Sequence, residues 1–136
     1  MKLGFTGTHL GMTENQKDQV RIIFEDLKPE EFHHGDCIGA DAEAHKIALS
    51  LNIPVVIHPP SNPAKRAFCG GSRAILPPDE YLSRNKSIVR STEVLIATPF
   101  GYHEEQRSGT WSTIRFAKKW GFPVFIVFPD GVVGRV

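Results

Sequence analysis

Apolar residues in this chain follow two alternating rhythms. Continuous apolar runs cover residues 2–6, the stretch ending at His34, and residues 54–58, 94–98 and 123–128. Between them, apolar positions recur at helical spacing: Val20, Ile23, Phe24 and Leu27, then Ala40, Ala44, Ile47, Ala48 and Leu51. Further helices are expected over about 80–91 and 109–120. Thr13-Glu14-Asn15-Gln16 is a capping-box start. Pro29 stops the first helix, while Gly121 caps the last and Pro123 prevents its continuation.

Continuous apolar strands separated by helices predict a parallel sheet covered on both faces. The expected fold is α/β: one three-layer Rossmann-like domain over residues 1–136, with a mainly parallel sheet of about five strands. In such sheets ligands bind beyond the carboxyl ends of the strands, where the strand order switches. Residues 59–79 interrupt the alternation with five prolines and two glycines. A loop of that length inside a compact domain suits a lid. Residues 129–136 are expected to form a short tail.

Two strand-to-helix turns carry the candidate chemistry. One is His34-Gly35-Asp36-Cys37-Ile38-Gly39-Ala40-Asp41; the other, after a strand ending at Thr98-Pro99, is Ser108-Gly109-Thr110. Such a turn presents unpaired N–H groups and a positive dipole end at one point, a suitable place for phosphate. Asp36 can accept hydrogen bonds from a ribose or base, or cap the next helix. Asp41 suits the helix dipole in either case. Arg84 offers a two-pronged fork for phosphate or carboxylate.

Composition removes other classes of protein. No apolar run reaches the ~18 residues of a membrane span, and the first residues lack a signal-peptide pattern, so a cytoplasmic protein is expected. Two cysteines, Cys37 and Cys69, make no disulfide framework. Only His34 and Cys37 are spaced like a pair of zinc ligands, so no metal is expected. Net charge is +1, yet residues 1–58 carry −4 and residues 59–136 carry +5. That asymmetry suits an anionic ligand near the middle of the chain.

The ordered motifs resemble the SLOG superfamily of Rossmann-like nucleotide-binding proteins, which includes the lonely-guy phosphoribohydrolases, the DprA/Smf proteins and small YspA-like proteins. The matching residues are Gly4-Phe5-Thr6-Gly7, the turn from His34 to Asp41, Arg84-Asn85, Thr98-Pro99 and Ser108-Gly109-Thr110. The resemblance covers nearly the whole chain, with the YspA-like branch most similar. It implies a ligand site built from Gly4, Gly7, Thr8, Gly35, Asp36, Gly39, Asp41, Arg84, Asn85, Ser108, Gly109 and Thr110. It further implies a nucleotide or nucleotide-derived ligand, no other cofactor, and a homodimer or higher homo-oligomer.

In the lonely-guy pattern a glutamate follows the Gly-Thr turn by three residues, and here that position holds Thr113. A binding or sensing module is therefore the expected function. The alternative is a nucleoside-monophosphate N-glycosidase in which Arg84 acts with a loop carboxylate, Glu105 or Glu104. A DprA-like DNA-handling role is the third reading. A pI near 7.9 without a basic stripe argues against it.

Overall fold

The computed structural model describes residues 1–135, with eleven regular elements in the order β1 (Lys2–Gly7), α1 (Glu14–Leu27), β2 (Glu31–His34), α2 (Ala40–Ser50), β3 (Val55–Ile57), β4 (Ala74–Ile75), α3 (Tyr81–Arg90), β5 (Val94–Thr98), α4 (Gly109–Lys119), β6 (Val124–Val127) and β7 (Val133–Arg135). They build one seven-stranded sheet in the order β4-β3-β2-β1-β5-β6-β7. Every pairing is parallel except the antiparallel β6–β7. Among the described residues no helix is long and apolar enough to cross a membrane.

Strand pleating sorts the core into two layers. Leu3, Phe5, Phe32, Val94 and Ile96 face α1 and α2, packing against Val20, Phe24, Ala40, Ala44 and Ile47. Leu95, Ala97, Val124 and Ile126 face the other way, where Val89, Trp111, Ile114 and Ala117 of α3 and α4 meet them. Phe32 anchors the first layer with edge-on contacts to Phe5 and Phe24. The sheet thus has helices on both faces, as continuous apolar strands require.

Helix α1 begins with the reciprocal cap expected from its sequence. Thr13 Oγ1 accepts the Gln16 N–H at 3.0 Å, and Gln16 Oε1 accepts the Thr13 N–H at 3.0 Å. The Gln16 amide also donates to the Pro99 and Val127 carbonyls, both at 2.9 Å, tying α1 beneath the ends of β5 and β6.

Two strands exceed the expected five. β4 is a two-residue edge strand within the Pro/Gly-rich stretch, too short for any apolar rhythm to show. β7 turns the expected tail into a hairpin with β6. Its Pro129-Asp130-Gly131 turn bonds Phe128 N–H to the Val132 carbonyl at 2.9 Å, with Gly131 at φ 86°. Trp111 is 8% exposed and belongs to the core, whereas Trp120 at the end of α4 is 68% exposed.

The chain leaves β1 for β2, β3 and β4 on one side, then returns to pair β5 against the other side of β1. The strand order therefore switches between β1 and β5, and the crevice at their carboxyl ends is where this class of sheet binds ligands.

Candidate functional site

A cavity of about 680 Å³ opens at that switch point. Its size falls within the range of small-molecule sites, roughly 300–1,000 Å³. Thr6 and Gly7 of β1 and Thr8 just after it line the cavity, with Gly35 and Cys37 from the turn into α2, Asp41 from the first turn of α2, and Tyr81, Arg84 and Asn85 from α3. Ser108, Gly109 and Thr110 complete it at the start of α4, with Lys65, Glu105 and Arg107 also in its walls.

Arg84 is the structural centre of the site. It is 3% exposed and forms no ion pair with a carboxylate of the described residues. Its Nε donates to Asn85 Oδ1 at 2.8 Å, one terminal nitrogen donates to the Gly35 and His58 carbonyls at 2.5 and 3.2 Å, and the other reaches Cys37 Sγ at 3.4 Å. These bonds fix the fork without neutralising it. A buried cation left in this way favours an anion close by. Gly35 makes the approach possible, because a Cβ there would strike the Arg84 guanidinium.

The start of α4 provides a second anion-seeking group. Ser108 Oγ accepts the Trp111 N–H at 3.3 Å, and Ser112 N–H bonds the Ser108 carbonyl at 2.9 Å. The Gly109 and Thr110 N–H groups have no acceptor among the described residues. They stand at the positive end of the helix dipole. Gly109 leaves room for Tyr81 in this position, since a Cβ would meet the Tyr81 hydroxyl.

Asp36 and Asp41 exchange the roles their positions suggest. Asp36, fully buried at φ 56°, turns away from the cavity. Its carboxylate accepts Arg66 Nε at 2.7 Å and the Cys69 N–H at 3.0 Å, while its carbonyl accepts the Ala67 N–H at 2.7 Å. Burial pushes its carboxyl up, but the Cys69 and Arg66 bonds outweigh that and hold it below its usual value. The segment read as a lid is therefore fastened to this turn. Asp41 faces the cavity. Its Oδ2 accepts the Gly35 and Cys37 N–H groups at 3.1 and 3.2 Å, and burial pushes its carboxyl up to about 6 despite the nearby Arg84 charge.

Two of the expected glycines lie outside the cavity. Gly4 faces α3, where a Cβ would meet Thr92 Oγ1 at 2.7 Å. Gly39, at φ 99°, permits close packing on the His9 backbone. The thiol of Cys37 lines the site, raised chiefly by burial and by Asp41. Glu105 lies in the cavity wall, Glu104 pairs with Arg115 at 2.7 Å, and Thr113 donates to the Gly109 carbonyl at 2.9 Å beneath the helix.

Two histidine relays support the site, and the periodicity of the sequence does not reveal either. His34 Nδ1 accepts the Asp36 N–H at 2.9 Å, His34 Nε2 lies 2.9 Å from His45 Nδ1, and His45 Nε2 lies 2.6 Å from the Gly70 carbonyl. One tautomer satisfies the whole chain, with each Nε2 carrying the proton. Cys69 adds a third donor atom beside the two rings. For His34 to ligate a metal through Nε2, its proton would have to move to Nδ1, against the Asp36 N–H. On the opposite face, His33 bridges Glu31 at 3.0 Å and His58 at 2.8 Å. Burial pushes His34 down to about 3 and His58 down to about 4, so both rings are neutral at ordinary pH.

Fold and cavity together define a Rossmann-type α/β domain with a switch-point site. No protein-family model matches the sequence, and no curated protein matches it. Among solved structures, it is similar to the molybdenum cofactor binding protein of Rippkaea orientalis, with TM-score 0.72, 22% identity, and coverage of 95% of this chain and 77% of that one. The Moco carrier protein of Chlamydomonas reinhardtii aligns with TM-score 0.69, 19% identity, and 95% and 75% coverage. DNA processing protein A of Streptococcus pneumoniae aligns with TM-score 0.68 and 19% identity over 92% of this chain, which spans about half (49%) of that protein. These likenesses are to the fold, which this chain shares with all three proteins.

Proposed function

We propose that this protein binds a nucleotide or nucleotide-derived ligand at the switch-point cavity and acts as a binding or sensing module. One observation carries the reading: the buried, un-ion-paired Arg84 shares a cavity with the unbonded Gly109 and Thr110 N–H groups. Phosphate sits against the α4 N-terminus and the Arg84 fork. The rest of the ligand extends toward Thr6, Thr8 and Asp41. Two structural neighbours that bind molybdenum cofactor, by their names, support a small-molecule ligand and place that cofactor among the probes.

The purified chain is incubated with nucleoside monophosphates, ADP-ribose and molybdenum cofactor, then examined by native mass spectrometry. A retained ligand mass that Arg84→Met removes supports the reading. No retained mass at millimolar ligand contradicts it.

A second reading, hydrolysis of an N-glycosidic bond, is favoured by Glu105 lying in the same cavity as Arg84. Free base released from a monophosphate, and lost in Glu105→Gln, supports it. Intact nucleotide after prolonged incubation removes it.

A further inference from the structure

One acceptor in the cavity is still without a partner. Asp41 is 6% exposed and lines the cavity. Both hydrogen bonds to its carboxylate fall on Oδ2, from the Gly35 and Cys37 N–H groups. Oδ1 has no donor among the described residues, and it is not among the solvent-sealed side-chain atoms that lack a partner. It is thus an open acceptor on a residue that lines the cavity.

The Arg84 guanidinium does not close onto it. A Cβ on Gly35 would lie 3.0 Å from Asp41 Oδ2 and would also touch Arg84, so the two charges face each other across Gly35 without pairing. Oδ2 anchors the turn, but the carboxylate repels an anion bound beside it, so the remaining oxygen is ill suited to a phosphate group. A carboxylate held in one orientation by two backbone N–H groups is instead a receptor for a neutral O–H or N–H donor.

We infer that Asp41 Oδ1 is the specificity-determining acceptor of the site and receives a neutral hydrogen-bond donor of the bound ligand, its sugar hydroxyl or its ring amino group. This deepens the proposed function and rests on it. The ligand must then carry two unlike ends, an anion for Arg84 and the α4 N-terminus and a donor for Asp41. Free phosphate and pyrophosphate satisfy only the first. A hydrogen bond to a buried carboxylate is worth roughly tenfold to a hundredfold in affinity, enough to select among phosphorylated metabolites.

Isothermal titration calorimetry at pH 7.5 tests this with ligands and with a variant. AMP and GMP are compared with their 2′,3′-dideoxy forms, which lack the sugar donors. They are also compared with purine riboside 5′-monophosphate and IMP, which lack the ring amino groups. Wild-type protein loses about tenfold or more with one of the two kinds of analogue, and which kind identifies the donor. Asp41→Asn keeps an oxygen for Gly35 and Cys37 but turns the open acceptor into a donor. It weakens the preferred nucleotide to the level of that analogue, while inorganic pyrophosphate binds as tightly as before or tighter.

Equal affinity for nucleotides and both kinds of analogue overturns the role of Asp41 and leaves the proposed function standing. So does Asp41→Asn binding AMP and GMP like the wild type. If only pyrophosphate binds, the Asp41 role falls but the anion site survives; if nothing binds, both fall. Should Asp41→Asn fail to fold by circular dichroism, the analogue series on wild-type protein decides alone.

Discussion

Replacing Asp36 with alanine should release the segment at residues 66–70 and cost more stability than most single substitutions. The carboxylate holds Arg66 Nε at 2.7 Å and the Cys69 N–H at 3.0 Å. Each hydrogen bond to a charged group contributes about 1.5–3 kcal/mol. Arg66 is partly exposed and recovers hydration when released, so its share lies at the low end. The residue also sits at φ 56°, a conformation aspartate tolerates and alanine resists by about 1 kcal/mol or more. The combined loss is about 4 kcal/mol, a fall in melting temperature of roughly 10–15 °C for a domain of this size.

Asp36→Asn keeps the backbone tolerance and should lose about half as much. Hydrogen exchange should accelerate at the amides of residues 66–70, and in β5 only as far as the lower global stability requires. The folded-state value of Asp36 is depressed, so its contribution is fully present above the unfolded value near 3.8 and fades as pH falls through the folded one. The gap between wild type and Asp36→Ala should therefore stay constant from pH 7 to 5. A melting shift below about 3 °C with unchanged exchange at residues 66–70 would refute the idea that Asp36 fastens this segment.

Other perturbations have equally definite outcomes. Gly109→Ala places a methyl group on the Tyr81 hydroxyl, so Tyr81, an exposed side chain, must swing away; nucleotide affinity should drop at least tenfold by calorimetry, while denaturant unfolding changes by less than about 1 kcal/mol. His34 and His58, pushed down to about 3 and about 4 by burial, take up protons in the unfolded chain before the folded one. Stability is thus present above the unfolded value near 6.5 and lost as pH falls, by about 1.4 kcal/mol per pH unit for each ring. Asp41, raised to about 6, opposes this between pH 6 and 4. Melting temperature should fall from pH 7 to 5, and a flat profile contradicts neutral buried rings. Phe32→Ala removes the ring joining Phe5 and Phe24 and should cost about 3–5 kcal/mol in chemical denaturation.

The sheet, the helix order and the switch-point crevice were legible because strand and helix periods alternate cleanly through residues 2–58 and 94–128. β4 and β7 were not, since two or three residues at a sheet edge leave no periodic trace. Arg84, Asn85 and the Ser108–Gly109–Thr110 turn were legible as local motifs, and they gather in the cavity. What failed to show was orientation within a turn. Asp36 and Asp41 sit five residues apart in one Gly-rich segment; Asp36 takes a left-handed backbone, and Asp41 is the one that lines the cavity. Gly4 belongs to the same motif as Gly7, but strand pleating and packing direct its open face to Thr92. The His34–His45 contact joins a strand end to a helix at a spacing with no sequence signature.

The central claim is that an anion rests on the first N–H groups of α4, opposite Arg84. An NMR titration of labelled protein with AMP and GMP tests it most directly. The account predicts saturable shifts at the Gly109 and Thr110 amides and the Arg84 Nε–H, with β7 unmoved. Saturable shifts confined to another surface, or none at millimolar nucleotide, would contradict it.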